Sequence, residues 1–195
     1  MYTNEVYRFK IRLKGIKPMI WRRIEVPSDF TFWELNYAVI DSMGWEGYHF
    51  SEFIMKNPAS GIKERIVFPD SEMGPSSMSM PEKKIADYFT LHNKECSYIY
   101  DFGDNWEHVI KLEDIHPADE NTVYPVCIGG KRACPPEDCG GIGGYYDLLE
   151  ILEDPDDPEH EEMKGWVGED FDPQFFDKSR VFFRDANVLL KRNKN

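Results

Sequence analysis

No apolar run in this chain approaches the roughly 18 to 20 residues that a membrane-spanning helix needs. The start, Met1-Tyr2-Thr3-Asn4-Glu5, lacks the basic and then apolar pattern of a signal peptide. A cytoplasmic address with no membrane partner is the expectation, and thiols stay reduced there. Positive charge is scarce too: 23 Lys and Arg against 36 Asp and Glu give a net charge of -13, which argues against a surface that attracts nucleic acid or anionic lipid over its whole extent. Catalytic signatures are also missing. The chain has no Cys-x-x-Cys, no His-Glu-x-x-His, no serine nucleophile elbow, and no Gly-x-Gly-x-x-Gly or P-loop pattern. Asp101-Phe102-Gly103 is spelled like the metal motif of protein kinases but lacks every companion motif.

What remains points to one domain over residues 1–195. With 41% hydrophobic and 14% aromatic residues the chain can bury one sizeable core, and no repeat, low-complexity tract or long linker divides it. The charge is polarised: the segment through Arg23 carries +6 and the rest -19. Either this basic segment pairs with the acidic remainder, or Arg8, Lys10, Arg12, Lys14, Arg22 and Arg23 form a docking face for nucleic acid.

Tyr7 to Leu13 alternates apolar and basic residues, which predicts a half-buried strand, and Ile20 to Val26 predicts a second that forms a hairpin with it. Thr31 and Glu34 spell a capping box, and Phe32, Leu35, Val39 and Met43 recur at helical spacing before Gly44. His49 to Met55 reads as a strand with Phe50 and Ile54 on one face. Asn57 to Ser79 reads as a long excursion with a short strand at Arg65 to Phe68, and Ser79 with Glu82 suggests a short helix through Phe89. Ser97 to Phe102 and Trp106 to Leu112 form a second hairpin around Gly103-Asp104-Asn105. A helix follows from Tyr145 to Leu152, then a solvated helix start at Asp156 to Glu162, a helical turn at Asp172-Pro173, and a closing helix with Phe182, Ala186, Leu189 and Leu190.

The most unusual stretch is Tyr124 to Tyr146, which holds three of the four cysteines, an acidic pair and six glycines. So many glycines in one place are entropically costly, so the segment is shaped for something. Cys127, Cys134 and Cys139, with His108 from the second hairpin, suit a structural zinc site, although their spacing is wider than zinc knuckles use; the alternative is small buried cysteines in a turn. His108 itself shares a strand face with Trp106, Ile110 and Leu112, so it is either a core histidine or a ligand. Glu137 and Asp138, with Asp101, Asp104, His108 and His160, are the candidates for a metal-assisted hydrolytic site, and the competing reading has Asp138 capping the Gly140-Gly141 amides.

Taken together, Ile20-Trp21-Arg22-Arg23, the Thr31-Phe32-Trp33-Glu34-Leu35 helix start, Tyr100-Asp101-Phe102-Gly103-Asp104 with Trp106 and His108, Pro135-Pro136-Glu137-Asp138 with Gly140-Gly141 and Gly144-Tyr145, and Pro158-Glu159-His160-Glu161-Glu162 with Phe171-Asp172-Pro173 resemble the plasmid pRiA4b ORF-3-like family of uncharacterised proteins. That family often has a histidine where this chain has Asp157, which weakens a two-histidine site. The resemblance implies a single α+β domain and, through relatives carried on plasmids and transposons, a role near nucleic acid. The expected architecture is an antiparallel or mixed sheet built from two hairpins, with flanking helices and the Cys/Gly-rich loop against the second hairpin. The expected function is a non-catalytic binding or accessory module with a protein partner, docking through an aromatic patch that includes Trp33 or Trp45. A metal-dependent hydrolase and a nucleic-acid-associated protein are the alternatives.

Overall fold

Strict alternation in the first strand is what starts the sheet. The computed structural model describes residues 4–68 and 77–192, and in it β1 (Glu5–Leu13) buries Tyr7, Phe9, Ile11 and Leu13 while the intervening basic residues stay outside. β2 (Trp21–Pro27) pairs antiparallel with β1 from Val6 opposite Pro27 to Arg12 opposite Trp21. The second hairpin, β6 (Glu95–Tyr100) and β7 (Trp106–Pro117), joins the first because β7 also pairs with β1. Around this centre are added β3 (Ser51–Lys56), β4 (Lys63–Val67) and β5 (Ser77–Ser79) on one side and β8 (Val126–Lys131) on the other. Among the described residues the result is an eight-stranded sheet in the order β5-β4-β3-β6-β7-β1-β2-β8, antiparallel except at β4–β5. It is a mixed sheet in an α+β domain, as the patterning implied.

Helix α1 (Phe32–Met43) begins where its capping box dictates. The Thr31 Oγ1 accepts from the Glu34 amide at 3.3 Å, and the Glu34 carboxylate accepts from the Thr31 amide at 2.7 Å. Gly44, at φ 96°, closes the helix in the left-handed region. Its inward face carries the aromatic core: Phe32 meets Phe53 and Tyr88 edge to face at 5.0 and 5.2 Å. Trp33 donates its indole N–H to the Ala186 carbonyl at 2.7 Å, which ties α1 to the closing helix α4 (Ala186–Arg192). Trp33 and Trp45 are therefore core residues and not the exposed aromatic patch expected of a docking surface. Helices α2 (Gly141–Glu153) and α3 (His160–Val167) pack on one another.

Several local expectations fail for identifiable reasons. The helix expected from Ser79 to Phe89 is two short 3-10 turns, Met80–Glu82 and Ile85–Asp87. Between them the backbone is claimed from outside: the Lys83 carbonyl accepts from the Phe32 amide at 2.9 Å, and the Ile85 amide donates to the Phe30 carbonyl at 2.9 Å, so Lys83 and Lys84 are extended. Asp172 starts a turn and no helix, its Oδ1 taking the Gln174 amide at 2.8 Å. Phe50 and Ile54 do share a face of the β3 segment, but it is the outer one, because Ser51, Phe53 and Met55 fill the core side. Part of the Asn57–Ser79 excursion lies outside the described residues.

Candidate metal centre

Three loops converge at the end of β6. The segment after α1, held by Trp45, delivers His49; the turn that leaves β6 delivers Asp101; and the loop between β8 and α2 delivers Asp138. The His49 Nε2 lies 3.1 Å from Asp138 Oδ1 and 3.6 Å from Asp101 Oδ2, and the ligand atoms of all three residues fall within 4.8 Å of one another. That Nε2 is shielded from solvent yet meets neither carboxylate with hydrogen-bond geometry. Asp101 and Asp138 both sit at positive φ, 57° and 59°, in a region that non-glycine residues rarely enter.

The surroundings explain how the loops are held. The Glu137 carboxylate accepts from the Glu46 amide at 2.7 Å, the Gly47 amide at 3.4 Å and the Tyr100 hydroxyl, so one side chain ties together the neighbours of all three candidate ligands. Trp45 donates to the Pro135 carbonyl at 2.9 Å and stacks on Tyr100 with ring centres 4.8 Å apart. Asp101 Oδ1 accepts from the Gly103 amide at 2.9 Å, which leaves Oδ2 toward His49. The Asp104 carboxylate takes the Gly140 amide at 3.2 Å. This corrects the expectation that Asp138 caps the Gly140-Gly141 turn; Asp104 does so, and Asp138 faces His49.

The glycines of the Cys/Gly stretch are needed where backbone meets backbone. A Cβ on Gly141 would stand 2.7 Å from the Asp104 carbonyl oxygen, and one on Gly144 only 1.9 Å from that of Cys139. The start of α2 can thus press against the β6–β7 turn at Asp104, and against its own preceding loop at Cys139, only because these side chains are missing.

The other candidates go elsewhere. His108 is completely buried, its ring centre 5.5 Å from Trp45 and 5.4 Å from Tyr98, and burial pushes it down to about 4, so it is neutral. Cys127, Cys134 and Cys139 do not assemble with it: among the described residues no group of three or more metal-ligating side chains includes any of these four. Burial raises all three thiols, Cys134 and Cys139 to about 12, so without a metal beside them they are protonated. The alternative reading of small cysteines in a turn fits this geometry. His160 belongs to a separate groove, its Nδ1 donating to the Ile151 carbonyl at 2.9 Å.

The basic segment is largely engaged. Arg8 pairs with Glu25 at 2.8 Å, Arg23 with Glu113 at 2.6 Å and Lys14 with Glu107, while Lys10 lies over the Trp21 ring and Arg12 is exposed. Arg22 is no surface cation at all. It is buried, donates to the carbonyls of Ser42, Trp21 and Lys131 at 2.8, 2.9 and 3.2 Å, and is covered by the Phe176 ring at 3.9 Å.

Of the three converging residues, Asp101 and Asp138 are legible as candidates in the sequence and His49 is not. It carries no motif spacing, and only the folding of the Trp45–His49 loop onto the Pro135–Asp138 loop brings it into place. No helix among the described residues is long and apolar enough to cross a membrane.

Known proteins are similar to this chain in sequence and, in one case, in fold. The chain is 34% identical over 166 residues to the uncharacterized protein y4hQ of Sinorhizobium fredii, an alignment covering 84% of this chain and 81% of that protein. The crystal structure of MM3350 from Methanosarcina mazei, described as a protein of unknown function, superposes with a TM-score of 0.86 at 47% identity, covering 92% of this chain and 98% of that one. The profile of the plasmid pRiA4b ORF-3-like proteins matches residues 5–180, and the chain belongs to that family.

Proposed function

We propose that this chain is a metal-binding module whose centre is His49, Asp101 and Asp138. The observation that carries the reading is the convergence of one imidazole nitrogen and two carboxylate oxygens within 4.8 Å, from three separate segments. A buried imidazole nitrogen without a hydrogen bond, pointed at two carboxylates, supports a cation between them more than a simple ion pair. One nitrogen and two oxygens suit Mn²⁺, Fe²⁺ or Zn²⁺ better than an all-oxygen calcium cage would. Tyr48, Phe50 and Phe102, next to the ligands in the chain, are exposed aromatics and give the module a surface for a partner.

The test is calorimetric titration of metal-free protein with Mn²⁺ and Zn²⁺. One equivalent should bind, and binding should disappear in His49→Ala; equal binding by that variant refutes the site. Glu137→Gln keeps the size of the side chain that ties the three loops together but removes its charge, and it should weaken the cation on the order of 10- to 100-fold, as loss of an outer-shell partner does. An unchanged affinity means that the loops are held without Glu137.

A second reading, metal-dependent hydrolysis, is favoured by one feature. Three protein ligands leave coordination positions open, and the Asp138 side chain is 68% exposed, so water can reach the cation. In that reading His49, Asp101 and Asp138 hold the metal, which supplies an activated water. Manganese-dependent cleavage of bis(p-nitrophenyl) phosphate that is lost in Asp138→Asn supports it; no cleavage by the metal-loaded protein leaves the module as the function.

A further inference from the structure

Helices α2 and α3 line two grooves. One is bordered by His160; the other, of about 370 Å³, has Asp147, Leu148 and Ile151 of α2 on one wall and Met163 and Trp166 of α3 on the opposite wall, with Asp138 and Cys139 at its edge. The α2 residues share a helix face through their spacings of three and four. His160 ties the start of α3 to α2, its Nδ1 donating to the Ile151 carbonyl at 2.9 Å, yet no residue of α3 is fully buried and Trp166 is 49% exposed. A tryptophan left half in water beside Met163 and Ile151 is apolar surface without a cover.

The charge around the groove identifies what can cover it. Residues 133–163 contain eleven Asp and Glu and no Lys or Arg. Glu161 and Glu162 have a local reason to be there, since they stand in the first turn of α3, where the helix dipole favours a carboxylate. Glu150 and Glu153 stand in the second half of α2, where the dipole opposes one, and Asp147 borders the groove itself. Among the described residues no Lys, Arg or His nitrogen lies within 4.0 Å of the carboxylates of Asp147, Glu150, Glu161 or Glu162. The basic residues that flank this acidic stretch in the chain, Arg132 and Lys164, line the other groove. Such a rim repels nucleic acid and anionic lipid and attracts a positively charged chain.

We propose that this groove docks a basic amphipathic segment of a partner protein. An apolar side chain of that segment lies against Leu148, Ile151, Met163 and Trp166, and its Lys or Arg side chains lie over Asp147, Glu150 and the acids at the start of α3. A channel between two helices suits the apolar face of a third, Trp166 provides the large aromatic anchor that dominates such contacts, and the unbranched Met163 adapts to the side chain it meets. The groove touches the metal centre only at Asp138, and the proposal does not rest on a bound cation.

The probe is a labelled peptide of about 14 leucines and lysines patterned as an amphipathic helix, long enough for helix to form on binding, with fluorescence anisotropy against metal-free protein as the readout. It should bind saturably at one per chain and more weakly as salt is raised. The same pattern with glutamate for lysine should not bind, and a peptide of the same composition without the amphipathic order should bind at least about tenfold more weakly. Trp166→Ala should lose about tenfold or more, the scale of a central aromatic anchor. Asp147→Lys leaves the apolar walls intact and should lose far more affinity than Glu120→Lys, which makes the same change of net charge at an exposed loop position. His49→Ala should bind the peptide as wild type does, so this proposal and the metal reading fail separately. Absent binding, equal binding of the glutamate or disordered-pattern peptide, undiminished binding to Trp166→Ala, or equal losses in Asp147→Lys and Glu120→Lys overturns the proposal. So does a dimer in sedimentation that Trp166→Ala dissolves, because the groove is then filled by a second copy of this chain.

Discussion

Gly144→Ala is expected to destabilise the protein by on the order of 3 kcal/mol or more, while Gly143→Ala, one residue away in the same helix, should stabilise it by about 0.5–1 kcal/mol. The difference lies in what each new methyl group meets. On Gly144 it would fall 1.9 Å from the Cys139 carbonyl oxygen, a backbone atom that cannot step aside without moving the loop; on Gly143 it has no neighbour within 4 Å. Both positions lie in the first turn of α2, where alanine is the better helix former, so propensity alone predicts the same sign for both. Urea denaturation at neutral pH separates the two accounts. Because the displaced loop carries Asp138, Gly144→Ala should also weaken the cation, and similar stabilities for the two variants would mean that the α2 start is not held against Cys139.

The second large effect is a loss of stability in acid that depends on one residue. His108 is fully buried and held neutral, with its pKa pushed down to about 4, whereas in the unfolded chain it titrates near 6.5. Below pH 6.5 the unfolded chain takes up a proton that the folded chain refuses. Stability therefore falls as the pH drops from about 6.5 to about 4 and then levels off, by about 3 kcal/mol in total from this group. Other groups titrate in the same range, so the test is the difference between wild type and His108→Leu, followed by urea denaturation at several pH values. The leucine variant should lack this component. Its stability at neutral pH is the baseline against which this component is read. Parallel curves for the two proteins would contradict a neutral core histidine.

Local chemistry was readable in the sequence and convergence was not. The capping box at Thr31, the alternation of β1 and the tight turn between β6 and β7 depend on residues a few positions apart, and each forms as its pattern implies. The Ser79–Phe89 segment also has a helical cap pattern, but its backbone is taken by Phe30 and Phe32, a contact no local pattern records. The site fails in the same way. The cysteines form no ligating group of three with His108 among the described residues, while His49, Asp101 and Asp138 meet because Glu137 and Trp45 bind the loops together over some ninety residues of chain. The swap of Asp104 for Asp138 as the acceptor of the Gly140 amide is another such case: either carboxylate could serve, and only the packing of the β6–β7 turn under α2 selects Asp104.

The central claim is that a cation sits among these three side chains, and anomalous scattering from crystals of the protein soaked in Mn²⁺ or Zn²⁺ tests it most directly. The account predicts one strong anomalous peak at roughly 2.0–2.2 Å from His49 Nε2 and in contact with a carboxylate oxygen of both Asp101 and Asp138. A peak on the cysteines, or no peak at the cluster under saturating metal, would contradict it.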